Sequence, residues 1–229
     1  MSKLLKNNPF SLTLFIYGLF AINLWLICLY APQEKVQGLV QKIFYFHVSS
    51  AFAMYFAFAI SGIGAISYLI KKTPFWNAVC QAGTSVGLLF CTMVLISGPL
   101  WAKPIWGAWW TWDPRLTTTL ILWLIFFATV LLRKSYGLDP KGQVYAAILT
   151  LFGILDIPLI IFAVKIWRGI HPAVLGKDNN MPFEMKLTLI VSMISILLLM
   201  ALFIWLHTRH LLITNRFYSY KEQLSERNH

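Results

Sequence analysis

Six long stretches of apolar residues constrain the fold of this chain more than any other feature of its sequence. They lie at about residues 11–30, 45–70, 78–98, 117–133, 144–166 and 187–207. A stretch of about 20 apolar residues is long enough to cross a bilayer as a helix, and a helix satisfies its backbone hydrogen bonds within the segment. None of the stretches shows the two-residue alternation of a membrane-barrel strand. The sequence therefore predicts an all-α, polytopic membrane protein, a bundle of six transmembrane helices.

The composition also favours a membrane domain. Hydrophobic residues make up 59% of the 229 residues and charged residues 12%, against roughly 25% charged in a soluble domain. No repeat or linker divides the chain, so residues 1–229 are predicted to form a single six-span domain. Lys3 and Lys6 precede the first span as in a signal peptide, but its apolar part is long and no small-residue cleavage pattern follows it, which favours a retained helix.

The net charge of +11 does not indicate a nucleic-acid-binding protein. The basic residues are spread over every loop rather than along one stripe, as expected for contacts with lipid head groups. Three cysteines lie within predicted spans, without paired spacing, and are interpreted as small packing residues: Cys28, Cys80 and Cys91.

Six spans place both termini on one side of the membrane. Eleven of the 19 Lys and Arg residues lie on that side and eight on the other, so the positive-inside rule predicts cytoplasmic termini. Whichever way the chain is oriented, residues 31–44, 99–116 and 167–186 are predicted to share the opposite surface.

A dense group of tryptophans, here called the tryptophan segment (residues 101–112), lies on that surface, between spans 3 and 4. It holds half of the ten tryptophans of the chain: Trp101, Trp106, Trp109, Trp110 and Trp112. If the segment is helical after Pro104, its i, i+3, i+4 and i+7 spacing aligns Trp106, Trp109, Trp110 and Asp113 on one face. Stacked indoles suit a large flat apolar ligand such as a porphyrin. The alternative is an interfacial aromatic belt, although five tryptophans within twelve residues exceed what anchoring requires.

Asp113, Pro114 and Arg115 follow the tryptophans. Asp is a preferred helix N-cap and Pro a preferred first helical residue, so the pair predicts the start of span 4. Asp113 is thus expected either to shape the connection or to contact a ligand. Arg115 could pair with a haem propionate or with a lipid phosphate.

One histidine lies in each neighbouring region of the same surface. His47 is at the start of span 2 and His171 just after span 5. Neutral imidazole is a common axial ligand of haem iron, so the pair could coordinate one iron from opposite sides. The alternative for either histidine alone is an interfacial polar residue.

Other metal chemistry is less well supported. Two histidines without a third ligand make a poor zinc or copper site, and the sequence lacks the Cys-x-x-Cys-His segment of covalent haem attachment. Three further histidines on the terminal side are interpreted as solvated residues without a role: His207, His210 and His229.

Asp156 lies near the middle of span 5, two residues before Pro158. An ionisable residue at that depth is a functional hypothesis by default. Pro158 removes a backbone donor and is expected to kink the helix. We expect Asp156 to be hydrogen-bonded to a neighbouring helix, with proton relay or ligand contact as alternatives.

The segment Trp106-Gly107-Ala108-Trp109-Trp110-Thr111-Trp112-Asp113-Pro114-Arg115-Leu116-Thr117 resembles the signature loop of the haem-handling membrane proteins of cytochrome c maturation. Larger relatives in that group carry more spans, and a six-span chain of this size is similar to the CcmC family. The histidine regions of that family resemble Phe46-His47-Val48 with Ala51, and Ile157-Pro158, Phe162, Trp167 and His171-Pro172. The resemblance covers about residues 43–200.

This resemblance implies non-covalently bound haem b at a periplasmic site. His47 and His171 would be its axial ligands, and the binding surface would comprise Trp106, Trp109, Trp110, Trp112, Asp113 and Arg115. It further implies delivery of haem to the chaperone CcmE, in a complex with CcmA, CcmB and CcmD. The chain lacks a Gly-x-x-x-x-Gly-Lys segment, so ATP hydrolysis would belong to a partner.

Whether such a chain is an enzyme is left open, since a lyase-like role would rest on orienting haem and the sequence offers no nucleophile or general base of its own. One alternative function is a transmembrane haem transporter subunit of the ABC-type complex, although the sequence shows no inverted repeat. A second is a scaffold that only recruits the partner protein.

Overall fold

The computed structural model describes residues 10–167, 171 and 181–227. The predictions that involve Lys3, Lys6, Pro172 and His229 fall outside these residues. Within them the chain is helical and contains no strand. The helices are α1 (Phe10–Trp25, extended by one wider turn at Leu26–Tyr30), α2 (Lys42–Lys71, preceded by a short 3-10 turn at Leu39–Gln41), α3 (Pro74–Trp106), α4 (Pro114–Tyr136), α5 (Pro140–Ile154), α6 (Asp156–Trp167) and α7 (Phe183–Arg227).

Among the described residues, six helices are long and apolar enough to span a membrane, which confirms the predicted number of spans. They are Phe10–Tyr30, Leu39–Lys71, Pro74–Trp106, Pro114–Tyr136, Pro140–Ala163 and Phe183–Ser225. Several extend beyond their predicted ends: α7 runs to Arg227, and α3 continues through Pro99 and Pro104 to Trp106. Each proline removes one backbone donor, and Gly98 before Pro99 has no Cβ to clash with the proline ring. The helix therefore continues where the sequence predicted a connection.

The centre of the bundle is built on close contact between α2 and α3. A Cβ on Gly64 would come within 2.6 Å of the backbone of Cys80, and one on Gly87 within 2.4 Å of the Phe58 ring. Small residues let the two helices approach closely. The resulting van der Waals packing holds them together, because no hydrophobic effect acts between helices in lipid. The Phe58 ring in turn stacks on Phe126 of α4 at 3.7 Å between centroids.

The fifth span is bent where Pro158 predicted a kink. α5 ends at Ile154 and α6 begins at Asp156, and the Leu155 N–H bonds to the Phe152 carbonyl at 3.2 Å. The kinked helix turns α6 toward the start of α4.

The three segments predicted to share one surface do meet there. Trp101 donates to Gln37 of the first connection at 3.0 Å, and its cluster includes Met185 of α7. Arg115 Nη1 lies 3.2 Å from His171 Nδ1. The described residues of the three segments therefore lie at one end of the bundle, here called the histidine end.

Candidate functional site

His47 lies in the second turn of α2, buried at 7% exposure. Its Nδ1 is 2.9 Å from the Ser97 hydroxyl of α3, and that hydroxyl donates its proton to the Met93 carbonyl at 2.7 Å. A serine hydroxyl has one proton, so toward His47 it accepts and Nδ1 carries the hydrogen. This leaves the lone pair of His47 Nε2 available, as in a metal-ligating histidine oriented by its other nitrogen.

The ring of His47 is held on two further sides. Trp101 packs against it edge to face at 5.9 Å, and Trp101 is itself fixed by its hydrogen bond to Gln37. A Cβ on Gly98 would come within 3.4 Å of His47 Cε1, so the backbone of α3 lies against the ring. Ser97, Gly98 and Gln37 were not identified from the sequence. Ser97 and Gly98 come shortly before the tryptophan segment in the sequence, whereas Gln37 lies in the first connection and shows no such signal.

His171 is brought to the same place as His47. Their ring centroids are 6.5 Å apart and the ring planes make an angle of 32°. The two residues are far apart in sequence, and the kink of the fifth span together with the packing of α6 on α4 brings them together. The sequence prediction that both occupy one surface is confirmed by this contact.

Arg115 connects His171 to the bundle. Its Nη1 lies 3.2 Å from His171 Nδ1, while Nε and Nη2 donate to the carbonyls of Ile160 and Ile161 at 3.4 Å. A guanidinium only donates, so Nδ1 of His171 accepts and the proton of its neutral ring lies on Nε2. The two histidines thus have opposite tautomers in this arrangement.

The tryptophan segment does not form the helix that its spacing suggested. α3 ends at Trp106, and Gly107 adopts φ +74° with its N–H on the Lys103 carbonyl at 3.0 Å. Residues 107–113 are not helical, so Trp106, Trp109, Trp110 and Asp113 do not share a helical face, and that prediction is wrong. Gly after a lysine-containing last turn is a helix stop signal, and here it outweighed the periodicity of the indoles.

Two of the tryptophans beyond the end of α3 are largely exposed. Trp109 is 56% and Trp112 71% exposed, and Trp110 packs edge to face on Trp112 at 5.8 Å. Trp112 has φ +54°, a conformation that is uncommon for a bulky residue and is found at functional sites. The indole N–H of Trp110 is buried without a hydrogen-bond partner, so it is a donor suited to a ligand atom.

Asp113 caps α4 as predicted. Its Oδ1 accepts from the Arg115 N–H at 2.9 Å, and its carbonyl accepts from the Thr117 N–H at 2.9 Å. The residue is 5% exposed. The cap sets the first turn of α4 and with it the direction in which Arg115 leaves the helix.

Asp156 is buried at 8% exposure, and its Oδ2 has no hydrogen-bond partner. The expected hydrogen bond to a neighbouring helix is therefore not found for this oxygen. Asp156 is the first residue of α6, so this buried carboxyl group lies at the break in the fifth span.

Comparison with known proteins identifies relatives along nearly the whole chain. The family model for Heme exporter protein C matches residues 3–223. Heme exporter protein C of Bradyrhizobium diazoefficiens is 32% identical over 190 residues, which cover 82% of this chain and 72% of the relative. Heme exporter protein C of Escherichia coli K12 is 28% identical over 184 residues, 80% of this chain and 75% of the relative. A putative cytochrome c biosynthesis ccmC-like mitochondrial protein of Marchantia polymorpha is 28% identical over 202 residues, 87% of this chain and 86% of the relative.

Proposed function

Because the chain belongs to the Heme exporter protein C family, which handles haem for cytochrome c maturation, we propose that it binds haem b non-covalently at the histidine end and presents it to a partner protein. In this proposal haem is cargo that leaves with the partner. The chain supplies coordination, orientation and shielding from water, since the reactive vinyl group belongs to haem itself.

The observation that carries this proposal is the separation of His47 and His171. A metal–imidazole bond is about 2 Å long and a ring nitrogen lies about 1 Å from the ring centre, so two imidazoles on opposite sides of one iron have centroids roughly 6 Å apart. The observed 6.5 Å supports axial coordination by this pair.

The protonation of the two rings suggests an order of events. His47 already presents an unprotonated Nε2, because Ser97 accepts from its Nδ1. His171 is held by Arg115 with its Nδ1 engaged, so coordination through Nε2 requires its proton to move to Nδ1 and Arg115 to release it. His47 would therefore be the resident ligand and His171 the second to engage.

The tryptophan segment fits the flat apolar body of haem. Trp106, Trp109, Trp110 and Trp112 would form the platform, and the unpartnered Trp110 N–H would find an acceptor on the ligand. Arg115, once released from His171, would pair with a propionate. Asp113 would act through its cap, by fixing the position of Arg115.

The location and partners follow the same proposal. The histidine end would face the periplasm, with the termini in the cytoplasm of a bacterium and the chain in its inner membrane. CcmE would receive the haem, and CcmA, CcmB and CcmD would complete the assembly. The chain carries no Gly-x-x-x-x-Gly-Lys segment, so the ATP-driven step is assigned to CcmA.

Haem content and transfer test the proposal. We expect purified protein to retain haem with a Soret band, and His47→Ala and His171→Ala each to lose most of it and to stop transfer to purified CcmE. The matched control is His210→Ala, an exposed histidine outside the histidine end, which should behave as wild type. Normal haem content and transfer in both site variants would overturn the ligand assignment, and normal complex assembly without any chromophore would favour a scaffold.

A further inference from the structure

A large cleft lies at the opposite end of the bundle from His47. Tyr68, near the end of α2, is 21 residues beyond His47, about 30 Å along a helix. The cleft has a volume of about 1090 Å³ and is lined by the ends of α2 and α4, the starts of α3 and α5, and part of α7. None of the residues that line this cleft was assigned to the haem site above.

A buried arginine forms part of its wall. Arg133 is 5% exposed and lines the cleft. It donates to the amide oxygens of Asn77 and Gln143 at 2.8 and 2.6 Å and to the Cys80 sulfur at 3.1 Å. Its Nε is buried without a hydrogen-bond partner, and none of these acceptors is a carboxylate.

Such a guanidinium is costly at this depth. A buried charge is normally paired or bound to a ligand, because removing it from water carries a large free-energy cost. Amide oxygens offset part of that cost and leave the net positive charge in place. A bound anion would neutralise it.

The other residues that line the cleft indicate what kind of anion would bind there. Three exposed lysines stand at the mouth, Lys72, Lys134 and Lys141, and the walls are mostly apolar or aromatic, including Leu138, Val144 and Tyr218. A ligand for this cleft must combine an anionic head with an apolar body. The lining contains no His, Cys or Met, so it offers none of the usual soft or imidazole ligands for haem iron.

From these features we propose that the cleft binds an anionic phospholipid, with a head-group phosphate on Arg133 and the rim lysines and its chains along the apolar wall. Basic pockets between transmembrane helices bind such head groups, and guanidinium matches phosphate geometry with two donors. A lipid with two phosphates should bind better than one with a single phosphate, because four basic side chains are available. The site does not depend on the haem proposal.

The test uses the purified full chain in detergent, mixed with cardiolipin, phosphatidylglycerol or phosphatidylcholine. Native mass spectrometry counts the lipids retained, and the thermal midpoint reports stabilisation by bound ligand. We expect retention in the order cardiolipin, phosphatidylglycerol, phosphatidylcholine. The paired variant Lys134→Gln with Lys141→Gln should weaken cardiolipin binding about 10-fold or more.

Two further variants separate charge from geometry. Lys35→Gln with Lys186→Gln removes the same charge from two exposed lysines at the histidine end and should leave lipid binding within about twofold. Arg133→Lys keeps the positive charge but removes the planar guanidinium that offers two donors to a phosphate. It should weaken binding about 10-fold.

Equal retention of phosphatidylcholine and cardiolipin would overturn the proposal, as would equal weakening by both lysine pairs. Haem added to a His47→Ala, His171→Ala double variant gives a third outcome. If residual haem binding there is abolished by the Lys134, Lys141 pair, the cleft belongs to a tetrapyrrole and the lipid assignment is wrong.

Discussion

A single hydroxyl proton determines which nitrogen of His47 can bind a metal. Ser97 gives that proton to the backbone of its own helix at Met93 and therefore accepts from the imidazole. The ring is fixed in one tautomer before any ligand arrives, which lowers the reorganisation that coordination requires. Packing contacts with Trp101 and with the backbone at Gly98 also hold the orientation of the ring.

Removing the Ser97 hydroxyl should weaken haem binding without abolishing it. We expect Ser97→Ala to raise the Kd about 10-fold, because the tautomer and the orientation of His47 are no longer fixed. The measurement is a haem titration followed at the Soret band. Ser135→Ala, which removes a similar hydroxyl-to-carbonyl bond at an exposed site, is the control and should match wild type. A Ser97→Ala Kd equal to that of wild type would show that the hydroxyl does not orient the ligand.

Arg115 should distinguish haem from its dimethyl ester. Under the haem proposal the guanidinium of the wild-type protein pairs with a propionate, so we expect about 10-fold tighter binding of haem than of the ester. In Arg115→Gln the two ligands should bind alike, with His171 no longer held by a charged donor. If the ester and haem already bind equally to wild type, Arg115 does not contact the propionates.

The two histidines could be predicted from the sequence, but the residues that orient them could not. Span parity alone placed His47 and His171 on one surface, since it depends only on counting apolar stretches. Ser97 lies inside a continuous apolar helix, where a single hydroxyl produces no pattern and most often bonds its own backbone. Its role arises from the packing of α2 on α3, which the sequence does not display.

At the scale of secondary structure, the start of α4 controls the site. The Asp113 cap fixes the first turn, and α5 begins in the same way at the other end of the bundle, where Asp139 accepts from the Lys141 N–H at 2.8 Å. The two caps have the same chemistry in different surroundings. Removing each cap in turn therefore separates the effect of losing a helix cap from the effect of disturbing the candidate site.

Loss of either cap should reduce stability, and loss of one should reduce haem binding. Asp113→Ala and Asp139→Ala are each expected to lower the free energy of unfolding by about 1 kcal/mol, seen as a lower thermal midpoint. Only Asp113→Ala should also raise the haem Kd, because Arg115 is displaced. Asp113→Asn keeps a capping oxygen and should restore both properties. Equal haem affinity in the two Ala variants would rule out a positioning role for Asp113.

Six helices were predictable because hydrophobic length is a strong signal, whereas helix ends were not. Span 3 was predicted to end at about residue 98, yet α3 continues through Pro99 and Pro104 to Trp106. Helix interiors in a packed bundle tolerate the loss of a few backbone bonds when neighbours supply the packing. The tryptophan periodicity was misleading for the opposite reason, since Gly107 ends the helix before most of the indoles.

At the scale of the whole molecule, the bundle has two dissimilar ends. One carries the histidines and the aromatic surface, and the other carries the basic cleft around Arg133. If the termini are cytoplasmic, the lipid site would lie at the inner leaflet and the haem site at the outer surface. The haem proposal requires this orientation, whereas the lipid proposal holds for either orientation.

Labelling from outside the cell tests that orientation. In a Cys28→Ser background, Val36→Cys at the histidine end should react with a membrane-impermeant maleimide in spheroplasts, and Tyr220→Cys near the C-terminal end should react only after lysis. Both positions are well exposed, at 90% and 66%, and the two remaining cysteines are buried. The reverse labelling pattern would place the histidine end in the cytoplasm and exclude periplasmic haem delivery.

Coordination of one iron by His47 and His171 is the central claim, and the spin state of the bound iron tests it most directly. Electron paramagnetic resonance of the haem-loaded ferric protein should give a low-spin, bis-imidazole spectrum. His47→Gly and His171→Gly should each give high-spin iron in whatever haem remains, and added imidazole should restore the low-spin signal. A wild-type spectrum that is high-spin, or one that stays low-spin in both variants without imidazole, would contradict coordination by this pair.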